Sequence, residues 1–299
     1  MIVRKHLWIR YTLLIIGCVL FFYPVIYAIG VGFMTRVQFA STPPSINPFV
    51  PPFSFENYKY LLLINIKGAP MLPFYYLNSV IRTVWYIITV VLISFLAGYV
   101  FGRLNFRGKN LVFFTLLVTT MLPPVVTMAP GFLWMVRFPL IGGNNIRGQG
   151  GTGFLNTYTV LLVLGLVNVM GIFLMRMSLQ TFPRELEDSA RMDGAGLFRI
   201  MFQIVFPIQK PIMAYLAITT GIAIWNDWYT PFVFTSVDRH QTLASAVSRL
   251  TSVAVGQYGI PDWPGIITLG LGLTIPCLIL FAFFQRYIVE GLASAAVKG

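Results

Sequence analysis

The chain has 299 residues, 57% of them hydrophobic and only 10% charged, with a mean hydropathy of +0.78. A soluble domain carries about 25% charged residues, so the composition excludes an ordinary water-soluble globule and points to an integral membrane protein. The net charge of +12 needs no nucleic acid, because basic residues flanking apolar spans serve membrane topology and contact with anionic lipid.

Six apolar runs reach the roughly 20 residues that cross a bilayer as a helix. They cover about 11–34, 78–102, 111–136, 157–179, 209–234 and 265–287. The expected fold is all-α and polytopic, a single membrane domain over 1–299, since no internal repeat or low-complexity tail divides the chain. The first run follows Arg4, Lys5 and Arg10, as a signal peptide would. Its apolar part, Tyr11 to Met34, exceeds a signal core and no small-residue cleavage site closes it, so it reads as a retained helix.

Between the first two spans, 35–77 is rich in proline and aromatics (Pro43, Pro44, Pro48, Pro51, Pro52, Phe53, Phe55), which suggests an irregular cap with short helices. Arg103, Arg107 and Lys109 follow the second span. The third holds Met121-Leu122-Pro123-Pro124 and Pro130, and prolines at membrane depth free carbonyls and bend the helix. Segment 137–156 contains Gly142-Gly143-Asn144-Asn145 and Gly148-Gln149-Gly150-Gly151-Thr152-Gly153, a density of glycine that predicts a flexible loop. None of these glycines forms a phosphate loop: the pattern G-x-x-x-x-G-K-[ST] occurs nowhere, and Gly108-Lys109 is followed by Asn110.

A polar segment then interrupts the apolar sequence. Four of the chain's nine acidic residues, Glu185, Glu187, Asp188 and Asp193, fall within it. Pro183 suits a first turn, and the carboxylates favour the positive end of a helix dipole. Arg191 follows Glu187 by four residues, the better orientation for an ion pair. Leu186 and Ala190 give a small apolar face, and Gly194 is placed to end a helix running from Phe182. A second helical stretch, Leu197 to Phe206, runs into Pro207. The fifth span contains Trp225-Asn226-Asp227-Trp228-Tyr229, where Asp227 is the one carboxylate placed deep in a span; such groups face a cavity or a partner. Polar groups beside aromatic rings suit a sugar, and the outer arginines Arg36, Arg82, Arg137 and Arg147 would favour an anionic saccharide such as a uronate oligomer. Cys18 and Cys277 read as buried, inert thiols, and His6 and His240 are isolated, so no metal or catalytic cluster is expected.

With both termini inside, the inner segments collect Arg4, Lys5, Arg10, Arg103, Arg107, Lys109, Arg176, Arg184, Arg191, Arg199, Lys210, Arg286 and Lys298, against Arg36, Lys59, Lys67, Arg82, Arg137, Arg147, Arg239 and Arg249 outside, a modest excess of the sign the positive-inside rule asks. An ion-driven secondary transporter would instead show inverted repeats and several intramembrane acids.

Segment 188–207 resembles the EAA loop of permease subunits from binding-protein-dependent ABC importers: E-A-A, three residues, G, nine residues, I, one residue, L-P. Here Asp188-Ser189-Ala190 precede Gly194, and Ile204-Val205-Phe206-Pro207 close the pattern at matching spacing. Asp188 replaces Glu, Ser189 replaces Ala and Phe206 replaces Leu. The sugar-importing, maltose-type branch is similar further along the chain. The likeness lies in Asn78-Ser79, Gly98-Tyr99-Val100-Phe101-Gly102-Arg103-Leu104, Phe173-Leu174-Met175-Arg176, Trp225 to Trp228 and the ending Gln285 to Gly299.

The resemblance implies a type I ABC importer permease of six helices in a bacterial cytoplasmic membrane, inactive as an enzyme. Glu187, Asp188, Ser189, Ala190, Arg191, Asp193, Gly194, Ile204 and Pro207 would dock a cytoplasmic ATPase, and Trp225, Asn226, Asp227, Trp228 and Tyr229 would line the substrate path. It also implies a second, homologous permease chain, two ATPase subunits that hold ATP and Mg, an extracytoplasmic sugar-binding protein, and no cofactor on this chain. A tail at Gly291 to Gly299 would reach the ATPase interface. An ABC importer for a non-sugar solute is the alternative.

Overall fold

The computed structural model describes residues 7–41, 47–60, 72–181, 183–248 and 262–296, and among them every regular element is helical. Much of 35–77, residue Phe182 and the last three residues of the tail lie outside this description. Two compact units emerge, one made of 1–73 with 246–276 and the other of 74–245 with 277–299.

The first unit holds α1 (Leu7–Gly32), α2 (Arg36–Ser41) and a turn of 3₁₀ helix at Asn57–Tyr60. α1 is apolar all round, and its lipid-length surface is exposed on nearly every side, Cys18 included. Its end is buried by the chain that follows. Asn57 donates to the carbonyls of Gly32 and Met34 at 2.9 and 2.7 Å, and the Tyr58 hydroxyl donates to Ile29 at 2.6 Å. Phe33 gathers the rings of Phe49, Phe53, Phe55 and Tyr58. These bonds satisfy the carbonyls that a helix end leaves open.

The second unit is organised on α3 (Leu72–Arg103), unbroken for 32 residues. After it come α4 (Lys109–Thr119), α5 (Pro124–Val136), α6 (Tyr158–Val163), α7 (Val169–Thr181), α8 (Glu185–Met192), α9 (Leu197–Arg199), α10 (Phe206–Ile208), α11 (Lys210–Trp225) and α12 (Tyr229–Phe234). α13 (Trp263–Ala296) closes the chain, with its residues shared between the two units. α3 meets α7 through small residues. A Cβ on Gly98 would lie 2.6 Å from Met175, one on Gly102 would lie 3.1 Å from Leu179, and one on Gly171 would lie 2.5 Å from Ser94. Residues 94, 98 and 102 thus face 171, 175 and 179 at a spacing of four on both helices, the close packing that small residues permit in lipid.

Among the described residues three helices are long and apolar enough to cross a membrane, or five if each bent pair counts as one span. Several expected spans are therefore not single helices. The third is α4 and α5, which meet at 102° because Pro123 is extended and Pro124 opens the next helix. The run 157–179 is two short helices, interrupted where Leu164 is extended and Gly165 takes a φ of 83°. The fifth bends by 73° at Gln209, between Pro207 and Pro211, and breaks again at Asn226–Trp228 before α12. Residues 200–205 form a π-helical turn just before Pro207.

The glycine-dense segment 137–156 is tightly built rather than flexible. Asn144 donates to the carbonyls of Val136 and Phe138 and accepts from Gly151, while Asn145 accepts from Arg147 and Gln149. Gly148 at φ 71° and Gly153 at φ 58° would drive a Cβ to 2.0 Å from Arg137 O and 2.3 Å from Met135 O. The glycines supply left-handed backbone and close approach instead of freedom.

Candidate functional site

The loop helix α8 starts with Glu185, Glu187 and Asp188 in its first turn and Arg191 in its last, matching the helix dipole at both ends. It begins two residues after Pro183 and ends in a Schellman motif: Gly194, at φ 81°, donates to Arg191 O at 3.0 Å, and Ala195 donates to Ala190 O at 2.9 Å. Adjacent carboxylates of this helix have opposite fates. Glu187 is 3% exposed; Arg103 lies 2.7 Å from it, the Tyr99 hydroxyl donates to it at 3.2 Å, and Arg191 stands 3.9 Å away. Asp188 points outward with 64% of its side chain exposed, 3.2 Å from Arg191.

The inward face is therefore Glu187 and Ala190. Leu186, expected to join Ala190 in an apolar face, is half exposed. Ala190 enters the core with Ile200, Met201, Phe95 and Leu179, and Ile204 packs against it. Ser189, Asp193 and Pro207 are on the surface. Asp188 and Met192, four residues apart on α8 and both open, put an acidic and an apolar group on one face, and Phe198 beyond the helix is 72% exposed.

A second polar centre forms where two spans break. The Arg82 side chain, from α3, lies 2.6 Å from Asp227, and Arg82 itself is 1% exposed. Its Nε donates to Leu161 O at 3.1 Å, Trp85 Nε1 donates to Leu162 O at 2.8 Å, and the Tyr86 hydroxyl donates to Leu164 O. These are the end carbonyls of α6, which lipid cannot satisfy. Asp227 also accepts from Thr230 N at 3.0 Å, at the start of α12. Arg82 is thus structural, and unavailable to an anionic saccharide; Arg137 and Arg147 remain exposed.

Next to this break lies a cavity of about 340 Å³, whose polar walls are Tyr86, Asn168, Tyr215, Thr219 and Thr220. Asn168 caps α7 through Gly171 N at 2.9 Å. Thr220 Oγ1 is buried and has no hydrogen-bond partner among the described residues. Hydroxyl and amide groups around such a space can bind a neutral, hydroxyl-rich solute. None of Trp225, Asn226, Asp227, Trp228 or Tyr229 lines it, nor do the third-span prolines. Trp225 is buried, and Trp228 is half exposed against Tyr229 and Phe232. Among the described residues no three His, Cys, Asp or Glu side chains group as a metal site.

Sequence reading missed this cavity because its walls come from three distant segments. The usable signals were Gly165 and Asn168 inside an apolar run, and Thr219-Thr220 one turn before the Trp-Asn-Asp-Trp group. Arg82 had a signal too: a basic residue inside a span calls for the one intramembrane acid.

Interrupted spans around a polar cavity, with a charged loop helix fastened beneath them, define a multi-pass membrane transport component. Residues 91–294 match the model of the binding-protein-dependent transport system inner membrane component. The chain belongs to that family. It is 31% identical to the arabinooligosaccharides transport system permease protein AraQ of Halalkalibacterium halodurans over 222 residues, 73% of each chain. It is 27% identical to the trehalose/maltose transport system permease protein MalG of Thermococcus litoralis, over 97% of this chain and 98% of that one. A chain from the crystal structure of a bacterial ABC transporter involved in the import of the acidic polysaccharide alginate is 20% identical and shares the fold, with a TM-score of 0.73 over 93% of this chain and 95% of its own.

Proposed function

We propose that this chain is a membrane-spanning permease subunit of an ATP-driven carbohydrate importer, with an oligosaccharide as its solute. The observation that carries the proposal is α8, whose Glu187 is locked inward while Asp188 and Met192, four residues apart, form an open acidic and apolar face. That face has the chemistry of a helix laid into a partner's groove. In this reading it docks one of two cytoplasmic ATPase subunits, which hold ATP and Mg and do the hydrolysis, and both termini are cytoplasmic. A second, homologous permease chain completes the pathway, and an extracytoplasmic binding protein delivers the sugar. ATP and loaded binding protein shift one population of states toward the outside-open form. Asn168, Tyr215, Thr219 and Thr220 meet the solute's hydroxyls. The names of the relatives, AraQ and MalG among them, support the carbohydrate class.

The test is to purify the tagged chain from its source cells into lipid nanodiscs with whatever associates. ATP hydrolysis is then measured with the binding protein and, in turn, arabinotriose, raffinose, maltotriose and alginate trisaccharide. Stimulation by at least one sugar, lost on Asp188→Lys, is the expected result. Recovery of the chain without an ATPase, together with uptake driven by an ion gradient alone, would disprove the reading.

A further inference from the structure

α3 carries an ion pair at two levels, buried on both sides at one and partly exposed at its acid at the other. Arg103, its last residue, holds Glu187 of α8, with both side chains 4% exposed. Arg82, 21 positions earlier and so about 31 Å up the helix axis at 1.5 Å per residue, holds Asp227 at the break before α12. The same inner end of α3 clamps the chain that leaves α8: Phe95 packs edge-on to Phe206 at 5.1 Å and lies 6.0 Å from Phe202. The spans beside it are broken, whereas α3 is continuous.

A buried carboxylate facing its own chain contributes nothing to a docking face, and an apolar residue would hold α8 at lower desolvation cost. What the pair adds is direction and register: Glu187 is fixed by Arg103 and by Tyr99, which is one turn earlier on the same helix.

We propose that α3 is the strut that carries displacement of α8 to the Asp227 break and its adjoining cavity, with Arg103 and Glu187 as positioning residues that make the helix end and the loop move together. The proposal rests on the importer reading above. Removing Arg103 would leave Glu187 tied to α3 by the neutral Tyr99 hydroxyl, a bond weak enough for α8 to follow its ATPase without moving the break.

The test uses the whole complex in nanodiscs, with Cys18 and Cys277 replaced by serine and Ala223→Cys, in the apolar part of the cavity wall, as the reporter. The probe is a charged maleimide, with and without ATP and vanadate; trapped ADP and retained ATPase subunits are measured on the same samples. In the parent complex, trapping should change the labelling rate about tenfold, as a population shift of that size requires. Arg103→Met should trap the same ADP with no change in labelling, and Arg103→Glu with Glu187→Arg should restore the response. Labelling in Arg103→Met that follows the parent overturns the strut. Loss of the ATPase subunits from Arg103→Met overturns it as well, since the pair would then only shape the docking loop. A swap that traps ADP without restoring the response counts against the pair as the link. A parent complex that traps no nucleotide removes the importer reading, and the strut with it.

Discussion

The two ion pairs on α3 are chemically alike and differ in what surrounds them. At Arg103–Glu187 the carboxylate is shared by Arg103, Tyr99 and, more distantly, Arg191, so removing one partner leaves others in place. At Arg82–Asp227 the arginine is the sole charged partner of the acid among the described residues, and it also closes a carbonyl of α6. The Arg82–Asp227 pair is therefore the less replaceable one. Arg82→Met should cost about 3 kcal/mol, the low end for a broken ion pair, because the carboxylate it strands keeps 20% of its side chain exposed. Thermal unfolding of the purified protein measures it. The double variant Arg82→Met/Asp227→Leu should recover most of that loss, and a double variant as unstable as the single would refute the pairing account.

Glu187→Gln probes the other pair and should be milder. Glutamine keeps an acceptor for Tyr99 but leaves Arg103 without its counter-charge, a loss of about 2 kcal/mol in the same assay. Equal losses for Arg82→Met and Glu187→Gln would show that sharing among Tyr99, Arg103 and Arg191 contributes nothing.

The same contrast governs how much of the molecule is legible in its sequence. α8 is local: its carboxylates, its terminating Gly194 and the spacing to Pro207 are contiguous, so helix, cap and family pattern are visible in a line of text. Even there the buried side is not legible, since Leu186 is the better apolar residue on any scale and yet Glu187 is the buried one; Arg103 and Tyr99, more than eighty residues earlier, explain why. The cavity is non-local, assembled from α3, the Gly165 break and α11, and no window of sequence contains it. The third, fourth and fifth spans failed as single helices for one reason. Hydropathy counts apolar residues and does not see that Pro123-Pro124, Gly165 or Gln209 ends a helix when a neighbour supplies the missing hydrogen bonds. The glycines of 142–153 misled in the opposite direction, because Asn144 and Asn145 hold them.

Two smaller substitutions separate folding of α8 from its use. Gly194→Ala places a Cβ on a residue at φ 81° with open space around it, so only backbone strain is added, about 1 kcal/mol. Melting should move slightly, and α8 should still dock. Asp188→Asn should be smaller still, within about 0.5 kcal/mol, because an exposed pair with Arg191 is worth little. Its effect belongs instead to the partner: if Asp188 is part of the docking face, the ATPase should leave the complex faster at raised salt while the melting curve stays in place. Titrating salt against retained ATPase measures this. An unchanged salt profile would assign docking to Met192 and Phe198 alone, and the apolar part of the face would then carry the interaction without the charge.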